Sequence, residues 1–397
     1  MNVRKEQIIN IFILIYVVLI ITSSNTGLLA TKLIRLLLPF LIVLFLVYRR
    51  YIKKDSFSFA IWGLLFLGYC LIRAPYATDT NYAYNYIAST FYVFIVNAFI
   101  FAYLTTSPHQ IYPLIKSLIW GSVIANIYAF TRYGIMVFIL YRGAEGIGNA
   151  NIYGAHSAIG LVLSFFIIKT DRELSQKGRY LYSFLMVLLG IFTILSGSRK
   201  VYIYIAVPFV MYYILKNNNP IKALRNVVAI LLCILVLIQI MMKVPFLYDN
   251  IGSKVELMIS GLMGGESDAS TSTRMALINY GLEMFRQNPI FGHGLGNYVV
   301  LLHIINPNFA SFYAHNNYIE LLVDCGIVGT LIYYSIYIKA LAYGIKKILR
   351  IRSTENLIIL GLLISMMICE YGQVSYYSAY LQLVLMMTYF LLRNNEV

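Results

Sequence analysis

Charged side chains are scarce in this 397-residue sequence: they make up 12% of it, whereas 60% of the residues are hydrophobic. Soluble domains contain about 25% charged residues, which cover their surface. The scarcity of charge therefore excludes a soluble enzyme, and the high hydrophobic content excludes a disordered chain. The composition predicts an all-α integral membrane protein.

Familiar catalytic and redox patterns are missing as well. The sequence has no CxxC, no His/Cys/carboxylate cluster at metal-ligand spacing, no Ser-His-Asp pattern and no phosphate-binding glycine loop. It predicts neither a metal site nor a bound cofactor. The four cysteines lie in apolar stretches, which favours small buried hydrophobes over a disulfide framework; they are Cys70, Cys233, Cys325 and Cys369.

What the sequence does contain is a series of apolar runs long enough to cross a membrane, which takes about 20 residues. They predict about twelve transmembrane helices in one bundle, nine within 1–243 and three within 315–397. Arg4 and Lys5 precede the first run, as in a signal peptide, but no A-x-A cleavage site follows, so we interpret it as an uncleaved helix. The runs cover 8–22, 28–48, 57–73, 87–105, 111–131, 151–168, 180–196, 201–215, 226–243, 315–338, 357–371 and 376–392.

The formal net charge of +15 follows the topology of these helices. If the N-terminus lies in the cytoplasm, the inner loops and tail hold 19 Lys and Arg residues and the outer loops hold eight. This asymmetry is the positive-inside rule, so nucleic acid is not an expected partner. The sequence predicts a multi-pass protein of the inner or plasma membrane with both termini in the cytoplasm. The inner segments are 1–7, 49–56, 106–110, 169–179, 216–225, 339–356 and the C-terminal tail.

One loop is much longer than the others and lies on the outer side, at 244–314. Loops of this length usually carry function or are disordered. This one includes the periodic stretch MALINYGLEMF at 275–285, which predicts an amphipathic helix. We therefore expect the loop to fold against the outer membrane face.

Several cations fall on this outer side. Arg199 follows a Ser-Gly-Ser turn, where backbone N–H groups and a guanidinium fork can bind phosphate oxygens. Lys200 next to it fits either the same role or simple snorkelling. Arg274 precedes the amphipathic stretch, where a helix N-terminus favours anions, but it also fits a solvated first turn. Arg35 lies inside the second run, and a cation there is a candidate for the same pocket.

A histidine and two carboxylates follow the long loop, in FYAHNNYIELLVDCGIVG. His315 stands where the loop enters the tenth run, beside Asn316 and Asn317. Glu320 and Asp324 are four residues apart, hence on one helical face inside the apolar layer. Buried carboxylates need partners, and we expect the outer arginines to supply them.

Two further features belong to the last three runs. Gly326 and Gly329 form a GxxG pattern, which predicts that another helix approaches closely. Glu370 lies at the outer end of the eleventh run, where sugar binding and interfacial anchoring remain equally good interpretations.

Together, arginines, one histidine and buried carboxylates are expected on one membrane face. Clustered arginine without a metal pattern suits an anionic leaving group, such as a diphosphate on a lipid carrier, displaced by a hydroxyl. The arginines would stabilise the charge on the departing phosphate. The histidine would remove the proton of the acceptor.

At this point the sequence resembles the O-antigen polymerase/O-antigen ligase family of membrane glycosyltransferases. The resemblance rests on SGSRK, then STR before an amphipathic stretch, then NPIFGHGLGNY, then HNNYIELLVDCGIVG, with GNANIYG at 148–154 also fitting. It implies a GT-C-like bundle with one large outer loop. It also implies metal-independent, inverting transfer of glycan from an undecaprenyl-diphosphate carrier to an acceptor hydroxyl. By the motif match, Arg199 and Arg274 would bind the diphosphate, and His315 would activate the acceptor or assist departure of the leaving group.

Three functions remain after these observations. The first is a polymerase that joins lipid-linked repeat units of an O-antigen, capsule or exopolysaccharide, working with a chain-length regulator and a flippase. The second is a ligase that moves finished polymer onto lipid A-core or another acceptor. The third is a transporter of the lipid-linked unit, which predicts charges near the midplane on broken helices. The one-sided cations favour the transferases, with Arg35, Lys200, Asn316, Asn317, Glu320 and Glu370 as substrate-binding candidates.

Overall fold

The computed structural model describes residues 2–22, 57–134, 150–216, 269–309 and 312–394, with isolated residues between 221 and 256. The regular structure of these ranges is helical. The helices are α1 (Asn2–Thr22), α2 (Ser58–Arg73), α3 (Thr80–Thr106), α4 (Ile111–Tyr133), α5 (Ala150–Thr170), α6 (Gln176–Leu195), α7 (Tyr202–Leu215), α8 (Ala269–Gln287), α9 (Asn297–Ile305), α10 (Asn317–Arg350), α11 (Thr354–Cys369) and α12 (Ala379–Arg393).

Seven helical segments of the described ranges are long and apolar enough to cross a membrane, and α1 and α12 are shorter apolar helices. The chain is therefore a polytopic membrane protein, as its composition predicts. The predicted spans 28–48 and 226–243 lie outside the described residues, apart from isolated positions in the second. The seven segments are Ser58–Tyr76, Thr80–Thr106, Pro108–Arg132, Asn151–Thr170, Gln176–Leu195, Asn317–Arg350 and Thr354–Gly372.

Side-chain caps fix where several of these helices begin. Asp79 accepts a hydrogen bond from the N–H of Tyr82 at the start of α3, and Ser175 accepts one from Gly178 at the start of α6. Such caps satisfy backbone donors that have no partner inside the helix. Ser353, Ser378 and Asn316 do the same for α11, α12 and α10.

The core lies around α12, whose residues from Tyr380 to Leu392 are all buried. A helix that is apolar on every side belongs inside a bundle. It packs against α3, α10 and α11, while α5 packs on α6, α7 on α11 and α1 on α4. Helix α6 is peripheral, because Phe184 and Val187 on it are more than 60% exposed. Such exposed apolar faces are suited to contact with lipid.

Two sequence expectations need correction. The stretch 339–350 was expected to be an inner loop, but it continues α10 as helix to Arg350. A rise in charge marks the edge of the apolar layer, whereas a helix can extend beyond that edge into water. Helix α3 begins at Thr80, seven residues before the predicted run, because its first residues, TNYAYNY, are less apolar than the run but still helical. The three described cysteines are free and buried, as predicted.

Candidate functional site

Helices α8, α9 and the start of α10 form a small core of their own at one end of α10. Its buried residues are Leu277, Met284, Tyr298, Leu302, Ala314 and Val323. The predicted amphipathic helix is confirmed as α8, which buries Leu277 and Met284. Arg274, however, lies five residues into α8 and not at its first residue, so the helix terminus is further from its side chain than the sequence suggested.

Helix α10 is broken at Gly326, and the loop 289–296 fills the break. Gly326 has a left-handed φ of 62°, which a residue without a Cβ adopts at little cost. An added Cβ there would lie 2.3 Å from the carbonyl oxygen of Ile290. The break frees backbone groups of α10, and the loop pairs with them on both sides of it. His293 N–H donates to Val323 O at 2.9 Å, and Ile327 N–H donates to Pro289 O at 2.9 Å.

The GxxG expectation is therefore met in two different ways. At Gly329 a helix does approach, since an added Cβ would lie 2.5 Å from the ring of Tyr69 on α2. The Tyr69 hydroxyl also donates to Cys325 O at 2.7 Å and to Phe291 O at 3.0 Å. At Gly326 the neighbour is a loop and not a helix.

The two buried carboxylates of α10 hold backbone amides. Asp324 accepts from Gly296 N–H at 2.6 Å and from Tyr298 N–H at 2.7 Å, while Glu320 accepts from Ala314 N–H at 3.0 Å. Arginines were the expected partners; the partners that the structure shows are these amides. Both carboxylates thus fix the loops on either side of α9 against α10.

His315 directly follows Ala314, whose backbone N–H donates to Glu320. Its φ is 50°, the one left-handed angle at a non-glycine residue in the described ranges. Such backbone conformations are costly and occur often at functional sites. The next residue, Asn316, caps α10 by accepting from Tyr318 and Ile319 N–H. The imidazole lies beside the ring of Tyr313, with centroids 3.9 Å apart.

Arg274 and Lys200 bring positive charge to His315. Burial lowers the pKa of His315 to about 4, and the charges of Arg274 and Lys200 add to this effect. Burial, and then Arg274, lowers the pKa of Lys200 to about 7. The charges of Arg274 and Lys200 thus act on each other and on His315, although the three residues belong to different parts of the chain. We call these three residues the electrostatic unit. The imidazole is neutral at pH 7, and within the described residues its buried Nδ1 has no hydrogen-bond partner.

The turn that carries Lys200 is fixed from two sides. Lys200 Nζ donates to Gly372 O at 2.6 Å, just after α11. Two residues earlier in the chain, Ser198 Oγ donates to Asn151 Oδ1 at 2.6 Å in the first turn of α5. Arg199 is half-buried in the same turn, which forms a short 3₁₀ helix (Arg199–Val201).

Asn317 and Glu370 lie behind His315 in a buried polar network. Asn317 Oδ1 accepts from Ser375 N–H at 2.9 Å, and its Nδ2 donates to the Tyr334 hydroxyl at 2.8 Å. Glu370 accepts from the Tyr334 and Tyr337 hydroxyls at 2.8 and 2.6 Å, and from Ser375 Oγ. Both side chains are at most 1% exposed, so the structure places them under the site and not on its surface.

Sequence reasoning did not single out the other members of this unit. Tyr313, whose ring lies beside His315, and Tyr334, which joins Asn317 to Glu370, are two of 35 tyrosines, and no motif marks them. The spacing of Tyr333, Tyr334 and Tyr337 on one helix is the signal that was available. Arg35, in contrast, lies outside the described residues.

The site falls in a segment that matches a known family. Residues 184–334 match the family model described as O-Antigen ligase, Wzy_C. This segment is similar to the O-antigen ligase family. The match includes Lys200, Arg274, His315 and the broken part of α10, and it confirms the resemblance drawn from the motifs. The family assignment indicates a function of the O-antigen ligase or polymerase type, which is a glycosyltransferase activity. No curated protein matches the chain.

Proposed function

We propose that this O-antigen ligase-family protein is a polysaccharide polymerase. It transfers glycan from an undecaprenyl-diphosphate carrier to the acceptor hydroxyl of another lipid-linked repeat unit, on the outer membrane face. The observation that carries the proposal is the electrostatic unit of Arg274, Lys200 and His315 in the family-matched segment.

The proposed reaction is a single displacement that inverts the anomeric carbon. The bond between this carbon and the diphosphate oxygen breaks, and the acceptor oxygen forms the new bond. Arg274 and Arg199 bind the donor diphosphate, and with Lys200 they stabilise the negative charge that grows on it as it leaves. His315 takes the proton of the acceptor hydroxyl, for which its neutral imidazole is in the required state.

The low pKa of His315 suits a base that becomes active with its substrate. Burial, and then the charges of Arg274 and Lys200, lower the pKa of His315, so the free protein holds a weak base. A bound diphosphate offsets these positive charges and raises the pKa of His315 toward its ordinary value near 6.5. His315 thus becomes a stronger base when the donor, with its diphosphate leaving group, is bound.

The alternative is a ligase that moves finished polymer onto lipid A-core or another acceptor. The description of the matched family as O-Antigen ligase favours it. The residues named above serve both reactions, because both break the same carrier diphosphate bond. If the protein is a polymerase, a chain-length regulator and a flippase are its proposed partners.

The test is a reconstitution with purified full-length protein and lipid-linked repeat units, with and without lipid A-core, and with and without a metal chelator. A ladder of lipid-linked products from repeat units alone supports the polymerase. A single adduct that requires lipid A-core overturns it in favour of the ligase. No glycosidic product in any arm, with the folded protein verified by thermal unfolding, overturns both.

A further inference from the structure

A second charged site lies at the opposite end of α10. A cavity of about 460 Å³ is bounded by the last turns of α10 and α12 and the first turn of α11. Helix α10 has 34 residues, and at about 1.5 Å per residue it puts the cavity up to about 50 Å from His315. The cavity is therefore separate from the candidate transferase site.

Four cations and one carboxylate line this cavity: Lys346, Lys347, Arg350, Arg393 and Glu355. Two of the cations already hold the fold. Lys347 Nζ donates to Leu391 O at 3.0 Å and to Asn394 O. The Arg393 guanidinium donates to Ser58 Oγ at 2.7 Å, and it lies 5.9 Å from the ring centre of Phe101.

Lys346 and Arg350 are the other two basic residues that line the cavity. Neither makes a hydrogen bond or ion pair within the part of the chain that the structure describes, although both border the cavity. They are four residues apart on α10, hence on one face of the helix. Two unpaired cations on one wall make the cavity a place for an anion.

Glu355 indicates a second chemical group that the ligand should carry. Its Oε1 is buried and has no hydrogen-bond partner among the described residues, and its charge interacts with that of Lys347. A buried acceptor without a donor is costly, so a ligand hydroxyl group would fit this oxygen. The expected ligand thus combines an anionic group with hydroxyl groups.

The remaining wall is apolar. Ile351, Leu391 and Leu392 border the cavity, and beside it Leu349 and Ile351 are 82% and 71% exposed. Exposed leucine and isoleucine next to cations at the end of a long apolar helix mark the edge of the hydrocarbon layer. By the charge distribution this is the inner edge, where anionic lipids attract basic residues.

We propose that this cavity binds the headgroup of an anionic phospholipid with a hydroxylated headgroup, of the phosphatidylglycerol type. Lys346 and Arg350 contact the phosphate, Glu355 accepts a headgroup hydroxyl, and the acyl chains lie along the apolar surface near Leu349. The proposal is independent of the proposed transferase function.

The test titrates delipidated full-length protein with phosphatidylglycerol and counts bound lipid by native mass spectrometry. The K346Q/R350Q variant should bind this lipid about tenfold more weakly or worse, since each basic contact near the surface contributes about a factor of five. The matched control is K177Q/K339Q, which removes two exposed cations that do not line the cavity. It should bind like the wild type, and so should the charge-conserving K346R/R350K.

Four results would overturn the proposal. Unchanged binding by K346Q/R350Q, with its folding confirmed by thermal unfolding, removes the two cations from the site. An equal loss in K177Q/K339Q shows a general effect of surface charge. Equal affinity for phosphatidylcholine shows that the headgroup charge does not matter. Competition by inorganic phosphate at the same concentration as the lipid assigns the cavity to free phosphate.

Discussion

The carboxylate of Asp324 accepts a hydrogen bond from the backbone N–H of Tyr298 at 2.7 Å. The same carboxylate accepts from Gly296 N–H at 2.6 Å, so one buried side chain fixes the entrance of α9 against α10, two residues before its break at Gly326. Since α9 shares a core with α8, Asp324 also determines where Arg274 stands relative to His315.

Replacing Asp324 with Asn should destabilise the protein by about 1–3 kcal/mol, because an amide accepts at one atom only and leaves a buried N–H unpaired. Thermal unfolding in detergent measures the loss. Glu283→Gln, at an exposed position of α8, is the matched control and should leave unfolding unchanged. An unchanged unfolding temperature in Asp324→Asn would show that the two amide hydrogen bonds are not significant for stability.

Removing the guanidinium of Arg274 should lower the transfer rate by about 100-fold or more, as expected for a group that stabilises the leaving charge. The Arg274→Ala protein should express and unfold like the wild type, since the residue is only half-buried. Arg286→Ala is the control, because Arg286 is an exposed arginine in the last turn of the same helix. Product of wild-type length and amount in Arg274→Ala would remove this residue from the site.

His315 should make the protein less stable in acid. Its pKa is about 4 in the folded protein and about 6.5 when exposed, so the unfolded chain binds more protons between these values. Stability should therefore fall as pH drops from 6.5 to 4, by about 1–2 kcal/mol after allowance for partial exposure. His315→Asn, which tolerates the left-handed backbone, should flatten this part of the profile. If the stability of both proteins fell equally between pH 6.5 and 4, this would contradict the low pKa of His315.

Gly326→Ala should be strongly destabilising or prevent folding. A Cβ at this position meets the backbone of Ile290 at 2.3 Å and also requires a φ of 62°. Gly68→Ala is the matched control, because Gly68 lies within α2 with no atom within 4 Å of an added Cβ. It should be neutral or slightly stabilising. Equal yields of folded protein for the two variants, measured by size-exclusion chromatography in detergent, would contradict the broken-helix geometry.

The sequence predicted the helical membrane class and the amphipathic helix α8, because both follow from apolar patterns that act locally. Composition alone excludes a soluble core, and the period of MALINYGLEMF is visible within eleven residues. The predicted start of the tenth run at 315 was also close to the start of α10 at Asn317, because the polar residues His315, Asn316 and Asn317 precede the apolar stretch.

The partners of Asp324 and the role of Glu370 were not predictable in the same way. A backbone amide carries no signature of its own in the sequence, so nothing marks Gly296 and Tyr298 as donors to a carboxylate 26 or more residues away. The Glu370 network joins α10 to the segment after α11, and its members meet only when the bundle has formed. Arg274 was placed at a helix start because the apolar period begins after it, whereas α8 extends to polar Ala269–Thr273.

The hydrogen bonds between loop 289–296 and the break in α10 have a consequence for biosynthesis. The loop leaves the ribosome before residues 323–328 do, so the loop groups that pair with the break lack these partners until α10 has been inserted. Maturation of this loop must then wait for a later membrane insertion step. A nascent chain stopped before residue 317 should accordingly be cut by protease within 289–296, and a chain extended beyond α12 should resist cleavage there.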